Sequence, residues 1–151
     1  MAGLPHDSVK MSVFVQQSIN ADLSGVLVTI NPYDTAQKNS AYIAAKRGLG
    51  IRVVEGKRVA EQVVYNRRND SVQRLSSSNE TTALQLDKNG GVREVPVTSG
   101  NVMNQEQIRR LDQTGQQIKQ LFANGEQDIE WAFDNGKLVI LQARPYLNGS
   151  R

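Results

Sequence analysis

Residues Gln127 to Pro145 read QDIEWAFDNGKLVILQARP, two runs of strand-forming residues separated by Asp134-Asn135-Gly136. An Asp-Asn-Gly sequence between such runs is a strong signal for a tight hairpin turn, because its central residues tolerate the positive φ that short turns require. The reading predicts strands over Gln127 to Phe133 and Lys137 to Leu141. Side chains alternate across a strand, so Asp128 and Glu130 share one face, and Gln142 and Arg144 share one face of the returning chain. Ile129, Trp131, Leu141 and Ala143 fall on the opposite parity and are expected in the core. If the turn is the short Asp-Asn-Gly one, the hairpin has an apolar side and a side bearing two carboxylates, an amide and a guanidinium.

Immediately upstream, Asn104 to Phe122 gives the clearest helix. Ile108, Leu111, Ile118, Leu121 and Phe122 recur on one face, Asn104 with Gln107 forms a capping signature, and Asn124-Gly125 supplies the stop. Its expected role is to cover a sheet. Further upstream, strands are expected over Met11 to Ile19 and, after a break from Asn20 to Gly25, over Val26 to Ile30. A polar loop follows from Tyr33 to Ser40. Short strands are then expected over Ala41 to Ala45, ahead of Gly48-Leu49-Gly50, and over Ile51 to Val54. From Glu61 the pattern is hairpin-like: QVVYN, a turn over Arg67 to Asp70, SVQRL, a strand over Ala83 to Leu86, an Asn89-Gly90-Gly91 turn and VREVPV. One long helix among many short strands predicts an α+β fold, a mostly antiparallel sheet with one covering helix.

The chain has 151 residues, 38% hydrophobic and 22% charged, within the ordinary range of globular domains. A single domain of this length buries roughly two thirds of the surface its unfolded chain exposes. The absence of cysteine excludes disulfides, thiol nucleophiles and cysteine-ligated zinc. No run of about 20 apolar residues is present and Met1 to Lys10 lacks the apolar stretch of a signal peptide, so a cytoplasmic protein without a membrane partner is expected. The net charge is +3, with basic residues at Lys46, Arg47, Arg52, Lys57, Arg58, Arg67 and Arg68. Aromatics make up only 5% and do not interleave with these cations as single-strand binders require, so no nucleic-acid partner is expected. A positive surface facing polyphosphate or a partner domain accounts for the same charges.

The polar side of the closing hairpin has the residue types of phosphoryl transfer: carboxylate and amide oxygens suit Mg²⁺, and a guanidinium makes forked bonds to phosphate. Spacing alone favours solvated carboxylates with Arg144 as their ion-pair partner, an ordinary surface arrangement. His6, the only histidine, sits in a Leu4-Pro5-His6-Asp7 context expected at a mobile end. Ser24, beside Gly25, suits a turn or a phosphate contact.

The string DIEWAFDNGKLVILQARP resembles the closing signature of the ATP-grasp domain in the phosphoenolpyruvate synthase and pyruvate phosphate dikinase family. Two further segments are similar to that family: Ala21-Asp22-Leu23-Ser24-Gly25-Val26 with Thr29, an SGV-x-x-T pattern preceded by Ser12 to Ile19, and Gly48-Leu49-Gly50 with Val53, Val54 and Gly56. The family carries an acidic residue after the second glycine; here the residue is Ile51. The resemblance runs from about Met11 to Pro145, loosely between Tyr65 and Met103. It implies the C-terminal part of an ATP-grasp nucleotide-binding domain over residues 11–146, with 1–10 a leader or linker and 147–151 a tail.

The resemblance also implies roles. Glu130 and Gln142 become the metal ligands, Asp128 a supporting carboxylate, and Arg144 the catalytic phosphate clamp. Gln16, Gln17 and Ser18 become adenine-edge residues acting through main-chain atoms. ATP and Mg²⁺ are the implied cofactors. The implied partners are an N-terminal ATP-grasp subdomain, which supplies the other phosphate grip, and a swivelling domain that carries a phosphorylatable histidine. The activity implied is ATP-dependent phosphorylation of that histidine and then of pyruvate or another acceptor, with this chain inactive in isolation. A non-catalytic nucleotide-binding or interaction module is the alternative, favoured by Ile51.

Overall fold

The computed structural model describes residues 13, 15–50 and 60–147. Strands β1 (Leu23–Val28), β2 (Ser40–Arg47), β3 (Glu61–Asn66) and β4 (Ser71–Ser76) are followed by β5 (Thr82–Leu86), β6 (Val92–Pro96), helix α1 (Gln105–Leu121), β7 (Gln127–Asp134) and β8 (Lys137–Pro145). Six strands form one antiparallel sheet in the order β4-β3-β2-β1-β7-β8, and β5 and β6 form a separate hairpin. This is the α+β arrangement expected from sequence.

Alternation divides the sheet into two faces. Leu27, Ile43, Val63, Ile129, Trp131 and Phe133 point to the side covered by α1 and form one buried cluster with Ile108 and Leu111 of that helix. The helix comes close because of Gly115: a Cβ there would lie 2.6 Å from Cδ2 of Leu27. Gly25 plays the same part within the sheet, since a Cβ would lie 1.9 Å from the Ala44 carbonyl oxygen and 2.8 Å from the Trp131 ring. Trp131 is therefore core, as its parity predicts, and meets Phe133 edge-on at 5.7 Å.

Polar staples fix the helix. Asn104 accepts from the Gln107 backbone amide while the Gln107 side chain accepts from that of Asn104, the predicted capping box. The fully buried Glu61 carboxylate accepts from the Val102 and Met103 amides at 2.9 and 2.8 Å and from Arg74 at 2.9 Å. Arg67 holds Asp112 of α1 through Nε and a terminal nitrogen and donates to the Thr29 and Lys38 carbonyls.

Several sequence expectations are corrected. The described residues of the Met11 to Ile19 stretch, 13 and 15–19, form no strand; Val13 and Val15 are 81% and 88% exposed, and β-branched residues without a neighbouring strand have no ladder to join. The expected break from Asn20 to Gly25 lies partly inside β1, which pairs from Leu23 onward with both β2 and β7. β2 and β8 run beyond their expected ends, through Lys46-Arg47 and through Pro145, because ladder pairing outweighs the polarity of those residues. Leu141 does not reach the core. An irregularity at Glu130/Trp131 sets Ile140, not Leu141, opposite Trp131, and Ile140 joins Ala143 against the core. Leu121 and Phe122, expected on the buried helix face, are 82% and 45% exposed because the last turn of α1 stands clear of the sheet. The Ile51 to Val54 strand and His6 lie outside the described residues.

Candidate functional site

The other face of the sheet carries no helix among the described residues, and it bears the polar side of the closing hairpin. Asn135 and Gly136 adopt φ values of 49° and 76°, which produces a two-residue turn within the expected Asp134-Asn135-Gly136 stretch and sets the hairpin register as far as Trp131 opposite Ile140. Beyond the irregularity at Glu130/Trp131, where Leu141 is the extra residue, Asp128 is paired with Arg144 and Glu130 with Gln142, so the four residues share one face on adjacent strands; the turn register alone would set Asp128 opposite Ala143. Two transverse rows result: Arg144–Asp128–Val28–Tyr42–Val64 and Gln142–Glu130–Val26–Ala44–Gln62. The charged hairpin edge thus continues into an apolar band, of which Val26, Tyr42 and Ala44 remain half-exposed.

Asp128 and Arg144 touch. Oδ2 of Asp128 accepts from Nε and a terminal nitrogen of Arg144 at 3.1 and 2.8 Å, with the arginine side chain 59% and the aspartate 12% exposed. The hydrogen bond and charge of Asp128, with a smaller contribution from Glu130, push the guanidinium pKa above its ordinary value. Glu130 and Gln142 are exposed beside them. Among the described residues no three His, Cys, Asp or Glu side chains gather into a metal cluster; this donor set is two carboxylates and an amide.

Other expected positions behave differently. Gln16, Gln17 and Ser18 are exposed on a segment outside the sheet, tied nearby to the β5–β6 hairpin by the Asn20 side chain, which accepts from the Leu86 amide at 3.2 Å. Ser24 is 3% exposed within β1 and its hydroxyl donates to the Gly48 carbonyl at 2.6 Å; it occupies a strand rather than a turn. The expected positive surface is partly turned inward. Lys46 and Glu80 form a buried pair at 3.6 Å, Arg47 donates to the Asn101 carbonyl, and Arg67 is bound to Asp112.

Sequence reasoning missed one junction beside the site. The Thr29 hydroxyl donates to Glu126 at 2.6 Å and accepts from the Gln127 amide at 2.9 Å, and Glu126 also pairs with Lys119 of α1. This junction fixes the start of β7 one residue before Asp128. Its signal in the sequence was only the threonine of the SGV-x-x-T pattern.

Residues 1–151 match the family model for the pyruvate phosphate dikinase AMP/ATP-binding domain. The chain belongs to this family. A probable phosphoenolpyruvate synthase of Archaeoglobus fulgidus is 31% identical over 146 residues, covering 95% of this chain and 19% of that protein. The phosphoenolpyruvate synthase of Pyrococcus furiosus is 32% identical over 155 residues, with 95% and 19% covered. A rifampicin phosphotransferase of a Streptomyces species is 31% identical over 147 residues, with 95% and 16% covered. The chain therefore spans less than a fifth of the length of these curated relatives. Membership of the pyruvate phosphate dikinase family makes nucleotide binding the activity against which the hairpin face is to be read. No helix among the described residues is long and apolar enough to cross a membrane.

Proposed function

We propose that this chain is the Mg-ATP-binding C-terminal part of an ATP-grasp domain, spanning residues 11–146, in a phosphotransferase resembling phosphoenolpyruvate synthase. In this reading ATP phosphorylates a histidine on a separate swivelling domain, and the phosphoryl group passes on to pyruvate or another acceptor. The observation that carries the reading is the juxtaposition of Asp128, Glu130, Gln142 and Arg144 on the sheet face away from α1 in a chain matched throughout by an AMP/ATP-binding family.

The donor set fits Mg²⁺. That ion keeps several waters, takes one or two carboxylates, and completes its shell with substrate phosphates. Glu130 and Gln142, register neighbours with hard oxygen donors, would hold it, with Asp128 in support. Bound there, Mg²⁺ would neutralise charge on the transferring phosphates. Arg144 supplies the phosphate clamp, a role suited to its forked, permanently cationic donors. Gln16, Gln17 and Ser18 contribute main-chain groups to the adenine edge. The apolar band formed by Val26, Tyr42 and Ala44 limits water beside the phosphates. The second phosphate grip belongs to an N-terminal subdomain, so the isolated chain binds weakly and does not turn over. Ile51, in place of the family's acidic residue, favours a second reading, a non-catalytic nucleotide-binding module built on the same face.

Calorimetric titration of ATP with and without Mg²⁺ into the chain, Glu130→Ala and Gln142→Ala tests the assignment. Weak, Mg²⁺-dependent binding that disappears in both variants is expected. Binding that ignores Mg²⁺ or survives both substitutions would remove the metal assignment.

A further inference from the structure

The contact between Asp128 and Arg144 has a consequence beyond charge balance. Two of the donors by which Arg144 would grip a phosphate are spent on one aspartate oxygen, at 3.1 and 2.8 Å. A phosphate oxygen and the Asp128 carboxylate seek the same donors with the same geometry. The competition is built into the fold, because Asp128 and Arg144 are direct register partners. Asp128 cannot drift away: its side chain is 12% exposed, and the Thr29–Gln127 bonds anchor the strand one residue upstream. Arg144, at 59% exposed, is the mobile partner and the one a ligand reaches.

We propose that Asp128 is a placeholder for phosphate: it occupies the Arg144 guanidinium until a polyphosphate displaces it, and a divalent cation favours that exchange by taking up the released carboxylate. This deepens the preceding reading and rests on Arg144 being the phosphate contact. Each ligand fills the gap the other opens. Anion displaces carboxylate from guanidinium, and cation on the Asp128–Glu130 face compensates the carboxylate. By linkage, cation and polyphosphate must then strengthen each other's binding by the same factor. Asp128 becomes a positioning residue that couples the two ligands and suppresses adventitious anion binding when metal is absent.

The test uses inorganic tripolyphosphate with and without Mg²⁺, titrated calorimetrically into the full 151-residue chain, Asp128→Asn, Glu130→Gln and Arg144→Gln. Removing Asp128's charge should tighten metal-free tripolyphosphate by about two- to five-fold, the range in which an exposed ion pair competes. The same substitution should shrink the enhancement that Mg²⁺ gives. Glu130→Gln removes an equal charge that makes no hydrogen bond to Arg144, so its metal-free gain should be smaller; this separates release of the guanidinium from a general change in field. A gain in affinity cannot arise from unfolding.

Metal-free affinity in Asp128→Asn that is unchanged or lower than in the parent chain, or a gain matched by Glu130→Gln, overturns the placeholder. If Arg144→Gln binds tripolyphosphate as well as the parent with and without Mg²⁺, or if no form binds, Arg144 is not the phosphate contact. The functional reading of this site then falls with the proposal.

Discussion

Substituting Thr29 by valine isolates the junction that fixes the start of β7. The residue is 1% exposed, and valine keeps its shape while replacing the hydroxyl by a methyl group. The Gln127 amide, now 2.9 Å from the hydroxyl oxygen, loses its acceptor in a buried setting, which costs about 1–3 kcal/mol. The 2.6 Å donation to Glu126 is a hydrogen bond to a charged group, ordinarily worth about 1.5–3 kcal/mol. Its loss is discounted because the Glu126 side chain is 27% exposed and retains Lys119. A combined destabilisation of about 2–4 kcal/mol follows, large for a single isosteric change. Serine keeps the oxygen and loses only the methyl group that faces Gly115, so Thr29→Ser should cost about 1 kcal/mol. Urea unfolding followed by circular dichroism, with the slope unchanged between variants, measures both. A cost below about 1 kcal/mol for valine, or an equal cost for serine, would refute the assignment of that energy to the two hydrogen bonds.

Two other perturbations probe separate parts of the molecule. Gly25→Ala should cost about 3 kcal/mol or more, the upper part of the overpacking range. The new Cβ would meet a backbone oxygen of β2 at 1.9 Å, and no side-chain rotation relieves a backbone clash; the same unfolding measurement checks it, and a near-neutral result would contradict the close β1–β2 approach. Asp70 provides the acid-sensitive element. Hydrogen bonds from Arg109, then from Tyr65, hold its carboxyl below the ordinary aspartate value. With a folded pKa below the unfolded one, its contribution is complete above the unfolded pKa and is lost as pH falls through the unfolded value toward the folded one. Asp70→Asn should therefore flatten that part of the acid limb of a stability–pH curve, and an unchanged limb would exclude Asp70 as a contributor.

The closing hairpin was legible because its information is local. Asn135-Gly136 dictates a two-residue turn, and the turn sets the register as far as Trp131 opposite Ile140; a one-residue irregularity at Glu130/Trp131, which the local pattern does not announce, then brings Asp128 against Arg144 and Glu130 against Gln142. The helix was legible for the same reason, from its capping box and apolar repeat. The segment before Asn20 was misread because strand propensity does not say whether a neighbouring strand exists to pair with. Leu121 and Phe122 were misread because periodicity gives a helix face but not how far along it the sheet extends.

Sequence alone therefore determined the α+β class, the closing hairpin with its turn and the family to which the chain belongs, all written in local pattern and in motif. Tertiary structure decided that the quartet lies on the sheet face away from α1. It also turned Lys46 and Arg67 inward to Glu80 and Asp112, and tied Thr29 to Glu126 across 97 residues of sequence. These features depend on which strands neighbour one another in space, and a side chain's partner across a sheet is set by that packing rather than by the residues beside it in the chain.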